Sequence, residues 1–102
     1  MSKANLHTHT LFSDGLLSAE ELYKLAKADG IDILSITDHD TIEHIPEEIE
    51  LAKNEGVDFL IGCEVSAYQN RKDYHILAYN FDSGDENLIK YFEKYKIARL
   101  KR

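Results

Sequence analysis

The feature that most constrains the fold of this chain is its alternation of short apolar runs with amphipathic helical patterns. Residues 4–10 read as a strand, and apolar strand-like runs follow at 31–36 and 57–61; two segments whose apolar residues recur at helical spacing separate the three. Such an order is typical of parallel βαβ units, whose right-handed crossovers place the helices on one face of the sheet. The sequence therefore predicts an α/β fold with mostly parallel strands and helices on the outer face.

The ends of the two helical segments can be read from their flanking residues. Ser18 and Glu21 have the spacing of a capping box at the start of the first helix, which Gly30 ends. The second helix is predicted to begin near Pro46 and to end before Gly56.

Beyond residue 61 the pattern predicts two further strands and a last helix. Gly62-Cys63-Glu64 is expected to break the third strand, and strands are predicted over 65–68 and 74–81, with a loop between them. Ser83 and Glu86 predict the capped start of a helix that continues to the end of the sequence.

Length and cysteine content exclude several classes of protein. The 102 residues allow one domain, whereas a complete (β/α) barrel needs roughly 200 residues. No apolar run approaches the ~20 residues that span a bilayer, so no membrane partner is expected. The single cysteine, Cys63, fits a reducing cytoplasm and is interpreted as a buried thiol, because nothing near it resembles an activating partner.

Charge is distributed unevenly along the chain. Residues 1–70 carry four Lys/Arg against fourteen Asp/Glu, a net charge of −10, and residues 71–102 carry eight against five, a net charge of +3. The acidic part argues against a nucleic-acid surface driven by phosphate attraction, so nucleic acid is considered only as a possible substrate. Acidic groups among histidines indicate instead a site in which bound cations balance the negative charge.

Polar residues follow the first three predicted strands, at the edge of α/β sheets where chemistry takes place. His7 and His9 are two apart on a strand, so their side chains leave the same face. Asp14 follows in a turn, Asp38-His39-Asp40 comes directly after the second strand, and Glu64 follows the third. Imidazoles and carboxylates at one edge are typical ligands of divalent metals.

Each of these residues also has an ordinary structural interpretation. The histidine pair could be a polar strand end, Asp14 an Asx turn, and Glu64 a solvated loop residue. His75, on the fifth strand, would alone be read as a core histidine, and it becomes a candidate ligand because the others converge on this edge. His44 has no such support and is expected to be a surface residue at the start of the second helix.

Together these residues resemble the PHP (polymerase and histidinol phosphatase) family of metal-dependent phosphoesterases. The matching elements are His7-Thr8-His9, Ser13-Asp14-Gly15, Ile36-Thr37-Asp38-His39-Asp40-Thr41, Gly62-Cys63-Glu64-Val65-Ser66 and His75-Ile76-Leu77-Ala78-Tyr79. The resemblance implies the first part of a distorted seven-stranded (β/α) barrel, with residues 1–102 forming the N-terminal portion of a PHP domain.

The resemblance also implies up to three divalent metals, and the mixed ligands suit Zn, Mn or Fe. His7 and His9 would hold the first metal, and Glu64 would bridge it to the second. His75 would complete part of the second metal's ligand set.

The third metal would be held by Asp14 and His39. Asp38 and Asp40, the candidates for a catalytic role, would orient the ligands by hydrogen bonds.

Family members supply further ligands from a later half of the barrel, and this leaves two functions open. One is hydrolysis of a phosphorylated small molecule, in which metals activate water and neutralise phosphate charge. The other is a folded, metal-binding but inactive module. A partial barrel leaves strand edges and apolar surface uncovered, which predicts a homo-oligomer or a missing C-terminal half as partner.

Overall fold

The computed structural model describes the backbone of residues 3–100 and the side chains of residues 3–97. Eight elements follow one another in it: β1 (Ala4–Thr8), α1 (Ala19–Ala28), β2 (Ile33–Ile36), α2 (Ile45–Glu55), β3 (Asp58–Phe59), β4 (Gly62–Gln69), β5 (Lys72–Tyr79) and α3 (Glu86–Leu100). The strand–helix–strand–helix–strand order predicted for the first part of the chain is confirmed.

The first three strands form a parallel sheet in the order β1-β2-β3. Ile33 is the Cα partner of Ala4 on one side and of Asp58 on the other. The β1–β2 register shifts between Asn5 and Thr8, an irregularity that bends a strand and re-aims its side chains. His7 lies inside this shift, at the end of the sheet where the candidate ligands were expected.

The last two strands depart from the prediction of mostly parallel strands. β4 and β5 form an antiparallel hairpin in a sheet of their own. Its two-residue turn consists of Asn70 and Arg71, both with positive φ (54° and 65°), as in the type I′ turns that match the twist of paired strands. The expectation that Gly62-Cys63-Glu64 breaks a strand is wrong, because these residues begin β4 and pair with the end of β5.

The helices α1 and α2 cover one face of the parallel sheet, as predicted. Their apolar side chains and those of β2 form one buried cluster: Ala19, Tyr23, Ala26, Leu34, Ile36, Ala52 and Val57. The capping box of Ser18 and Glu21 is present, and Gly56 ends α2 in the left-handed conformation at φ 70°.

A second buried cluster joins the start of α2 to the hairpin and α3. Its buried members are Ile42, Ile45, Cys63 and Phe92. Cys63 is fully buried, which confirms its interpretation as a core thiol, and burial raises its pKa to about 11. At the start of α3 the Oδ1 of Asp85, rather than Ser83, accepts a hydrogen bond (3.0 Å) from the Leu88 N–H.

None of the helices described between residues 3 and 100 is long and apolar enough to cross a membrane.

Candidate metal centre

The two sheets are joined at the carboxyl end of β2. The Glu64 N–H donates to the Asp38 carbonyl (3.1 Å), and the Asp40 N–H donates to the Glu64 carbonyl (2.9 Å). These bonds make His39 and Glu64 an isolated parallel bridge. Residues far apart in sequence are thereby fixed side by side at one edge.

The carboxylate of Glu64 lies at the centre of four imidazoles. Its Oε1 is 2.7 Å from His7 Nε2 and 3.1 Å from His9 Nε2. Its Oε2 is 2.8 Å from His75 Nδ1 and 3.6 Å from His39 Nδ1. Glu64 itself is only 6% exposed, so its charge depends on these neighbours rather than on water for compensation.

The surroundings of Glu64 favour its ionised form. Burial alone raises the pKa of this carboxyl, but hydrogen bonds from His7 and His75 and the nearby imidazoles of His39 and His9 lower it. The net result is a pKa below the ordinary value. Glu64 is therefore an anionic oxygen donor at neutral pH.

Asp14 forms a second meeting point on the exposed side of the cluster. Its Oδ1 is 2.9 Å from His9 Nδ1, and its Oδ2 is 3.1 Å from His39 Nε2. All six ligand candidates are thus brought together at one edge. They fall into three sets, each with donor atoms within 4.8 Å of one another: His7, His9 and Glu64; His9, Asp14 and His39; His39, Glu64 and His75.

The donor chemistry of these sets fits a divalent cation. Both ring nitrogens of His9 face carboxylate oxygens, and the same is true of His39. A neutral imidazole has one N–H and one lone pair, so one of the two contacts of each ring would set a lone pair against an anionic oxygen. A cation between nitrogen and oxygen removes that conflict, and metal–ligand distances of about 2.0–2.2 Å allow the close donor spacing seen here.

His9 and His39 each belong to two of the three sets, which limits how many cations the sets can hold at once. A neutral imidazole has a single lone pair and can ligate through one nitrogen only. The two outer sets can be complete together, with Glu64 contributing one oxygen to each, whereas the middle set competes with both for an imidazole. If three cations bind, some must therefore take fewer than three donors from these six residues.

Asp38 holds the loop that carries Asp14. It is 4% exposed. Its Oδ1 accepts from the Thr10 N–H and the Ser13 hydroxyl (2.7 Å each), and its Oδ2 accepts from the Thr10 hydroxyl (2.6 Å). Both oxygens of this carboxylate thus face Thr10 and Ser13 of the loop rather than the imidazoles of the candidate ligands.

Asp40 has a comparable role on the other side. Its backbone has a positive φ of 53°, and its Oδ1 accepts a 2.7 Å hydrogen bond from the Ser66 N–H of β4. This bond fixes β4 next to the end of β2, and with it the position of Glu64.

The turn before α1 needs glycine at position 15. A Cβ there would lie 2.2 Å from the His9 carbonyl oxygen, and the Gly15 N–H donates to the Thr10 carbonyl (2.9 Å). The loop can fold back on itself, and bring Asp14 to His9, only without that Cβ.

His44 lies at the start of α2, as expected, but it is not a freely exposed surface residue. Its ring is half-buried and stacks on Phe12, with ring centroids 3.3 Å apart and planes 6° from parallel. Both rings line a cavity that reaches His39. Sequence reasoning also missed Phe12, although an aromatic residue in the polar turn between His9 and Asp14 was a signal.

Known proteins match this chain over nearly its whole length. A family model for the PHP domain matches residues 5–100. A 5′-3′ exoribonuclease of Haemophilus influenzae is 37% identical over 100 residues, which cover 98% of this chain and 36% of the relative. A 3′,5′-nucleoside bisphosphate phosphatase of Chromobacterium violaceum is 32% identical over 102 residues, covering 100% and 36%.

A solved structure from Bifidobacterium adolescentis, assigned as a metal-dependent phosphoesterase, matches with a TM-score of 0.90 and 32% identity. The match covers 99% of this chain and 35% of that one. The chain therefore spans about a third of the length of these relatives.

Proposed function

Because the chain belongs to the PHP domain family, we propose that it contributes the metal centre of a hydrolase that cleaves phosphate esters. The observation that carries this proposal is the buried carboxylate of Glu64 with four imidazoles around it, open on the side of His7 and His75. The proposed metal ligands are His7, His9, Asp14, His39, Glu64 and His75.

Zn²⁺, Mn²⁺ or Fe²⁺ bound there would supply Lewis acidity, which lowers the pKa of a bound water and neutralises phosphate charge. The residues of this chain hold the donor atoms in place. Glu64 offers one oxygen to the pair His7 and His9 and the other to the pair His39 and His75. Asp38 and Asp40 keep the donors in register through backbone hydrogen bonds rather than by contact with substrate.

Charge favours a phosphorylated substrate only when cations are present. The net charge of −10 over residues 1–70 would otherwise repel a phosphate group. The half-exposed imidazoles of His7 (52%) and His75 (50%) leave one side of the centre open to such a group. A phosphorylated small molecule is the proposed substrate, and the relatives named for RNA and nucleoside bisphosphates support including nucleic acid ends.

The proposed architecture is the first part of a distorted seven-stranded barrel, which needs a covering partner. Large apolar side chains are exposed on β1 and on the hairpin, among them Leu6, Tyr74 and Ile76. A second copy of the chain or a C-terminal half would bury them. The free thiol of Cys63 supports the cytoplasm as the place of action.

The test is hydrolysis of p-nitrophenyl phosphate by the full-length protein with Mn²⁺ or Zn²⁺. We expect turnover that a chelator abolishes, and a loss of about 100-fold or more in kcat/KM for Glu64→Gln and His7→Ala. Leu16→Ala is the matched control, since Leu16 is 89% exposed and lies only two residues after Asp14 in the same loop.

Turnover that is indifferent to the chelator would refute the proposal. Tight metal binding that depends on Glu64 but is accompanied by no turnover of any ester would instead identify an inactive metal-binding module.

A further inference from the structure

A cavity of about 500 Å³ opens beside the metal centre, between the β2–α2 loop and α3. Its lining includes Phe12, His39, Ile42, His44, Phe92 and Tyr95. Because His39 belongs both to the cavity lining and to the cluster of candidate ligands, the cavity adjoins the metal centre at this residue. The volume lies within the ~300–1,000 Å³ range typical of small-molecule sites.

Two stacked aromatic rings, Phe12 and His44, line the cavity together with His39. Phe12 remains 48% exposed although His44 stacks on it with planes 6° from parallel. Phe12 stands in the loop two residues before Asp14, and the hydrogen bonds of Thr10 and Ser13 to Asp38 hold the loop backbone on either side of it. A half-exposed aromatic ring that is stacked on one face beside a polar site is suited to stacking with another planar ring.

The charges of the lining argue against a second phosphate in this cavity. Asp40, Glu43 and Glu93 contribute three carboxylates. Among the side chains described, residues 3–97, the lining has a single lysine, Lys96, whose Nζ lies 3.8 Å from Glu43 Oε2. An anionic group would be repelled here, whereas an uncharged ring would meet apolar and aromatic side chains.

We infer that this cavity binds the planar aromatic ring of the group that an ester carries beyond its phosphate, with Phe12 as the stacking residue. The inference rests on the proposed function, because the phosphate is taken to lie at the metal centre. A nucleobase has this chemistry, and so does a simple aryl group. Esters with an uncharged ring are therefore preferred over esters with a sugar alone or with a second phosphate in this position.

The experiment compares ligands that share a phosphate mimic and differ in the ring. Hydrolysis-resistant phosphonate analogues of AMP, of ribose 5-phosphate and of phenyl phosphate are titrated into the Zn²⁺-loaded full-length protein by calorimetry. We expect the AMP analogue to bind about 5- to 100-fold more tightly than the ribose analogue, as base–aromatic stacking implies. If the site is specific for nucleobases, the affinity of the phenyl analogue will be close to that of the ribose analogue. If the site accepts any ring, its affinity will be close to that of the AMP analogue. Either result supports the inference.

Variants of Phe12 separate stacking from packing. Phe12→Leu keeps apolar volume but loses the ring, and it should remove most of the preference for ring-bearing ligands while leaving the ribose analogue unaffected. Phe12→Tyr should retain the preference, and Leu16→Ala should change neither affinity.

Equal affinities for the AMP, phenyl and ribose analogues would overturn the inference, and so would a Phe12→Leu variant that weakens all three alike. A different result would contradict the proposed function, namely the absence of ester turnover in a protein that still discriminates these ligands.

Discussion

Removal of the Asp38 carboxylate should release the loop that carries Asp14, and the size of the effect follows from its hydrogen bonds. Three donors, namely the Thr10 N–H and the hydroxyls of Thr10 and Ser13, lie 2.6–2.7 Å from its oxygens. Thr10 is fully buried, so Asp38→Ala leaves its N–H and its hydroxyl proton without an acceptor, although the hydroxyl oxygen still accepts from the Phe12 N–H. Each unsatisfied buried group costs about 1–3 kcal/mol, and breaking a buried charged network typically costs about 3–5 kcal/mol.

We therefore expect Asp38→Ala to lower the free energy of unfolding by about 3–5 kcal/mol and to weaken metal binding at least tenfold. Asp38→Asn is the matched control. Its carbonyl oxygen can still accept from the Thr10 N–H and the Ser13 hydroxyl, and the Thr10 hydroxyl can turn to accept from the new amide. The asparagine variant should lose about 1–2 kcal/mol and keep most of its metal affinity.

The assays are urea denaturation of the metal-free protein and calorimetric titration with Zn²⁺. A loss below about 1 kcal/mol for Asp38→Ala, with unchanged metal affinity, would refute the reasoning that this carboxylate positions the loop.

Two further predictions concern Gly15 and Glu48. Gly15→Ala places a Cβ 2.2 Å from the His9 carbonyl oxygen, so the loop must shift. Metal affinity should then fall about tenfold or more, as measured by calorimetric titration. Unchanged affinity would contradict this close approach. Burial, together with the charge of Asp38, raises the pKa of Glu48 from 4.5 to about 8. Between these two pH values the folded protein keeps a proton on Glu48 that the unfolded chain releases. The free energy of unfolding should therefore fall as the pH rises, by up to ~1.4 kcal/mol per pH unit. Glu48→Gln should abolish that slope and be most stabilising, relative to the wild type, near pH 8; urea unfolding at pH 5 and pH 8 checks this, and identical slopes in both proteins would contradict it.

The parts of the fold that sequence could predict are those with a local physical cause. The capping box of Ser18 and Glu21 and the left-handed end of α2 at Gly56 depend on neighbouring residues only. The convergence of polar residues followed from a general rule, because parallel strands end at a common edge.

The hairpin could not be predicted in the same way. Glycine at position 62 reads as a strand breaker, yet a Cβ there would lie 2.4 Å from Ser35 Oγ and 2.8 Å from Thr37 Cγ2. It is needed because β2 approaches β4 closely, which is a tertiary fact invisible in local sequence. The stacking of His44 on Phe12 is likewise a contact between residues 32 positions apart, with no periodic signal to indicate it.

The most direct test of the central claim is anomalous diffraction from crystals of the full-length protein grown with Zn²⁺ or Mn²⁺. We expect strong anomalous peaks at the carboxyl edge of β2, within about 2.0–2.2 Å of both Glu64 oxygens and of imidazole nitrogens on either side. Crystals without a peak there, in which Glu64 keeps its direct hydrogen bonds to His7 and His75, would contradict it.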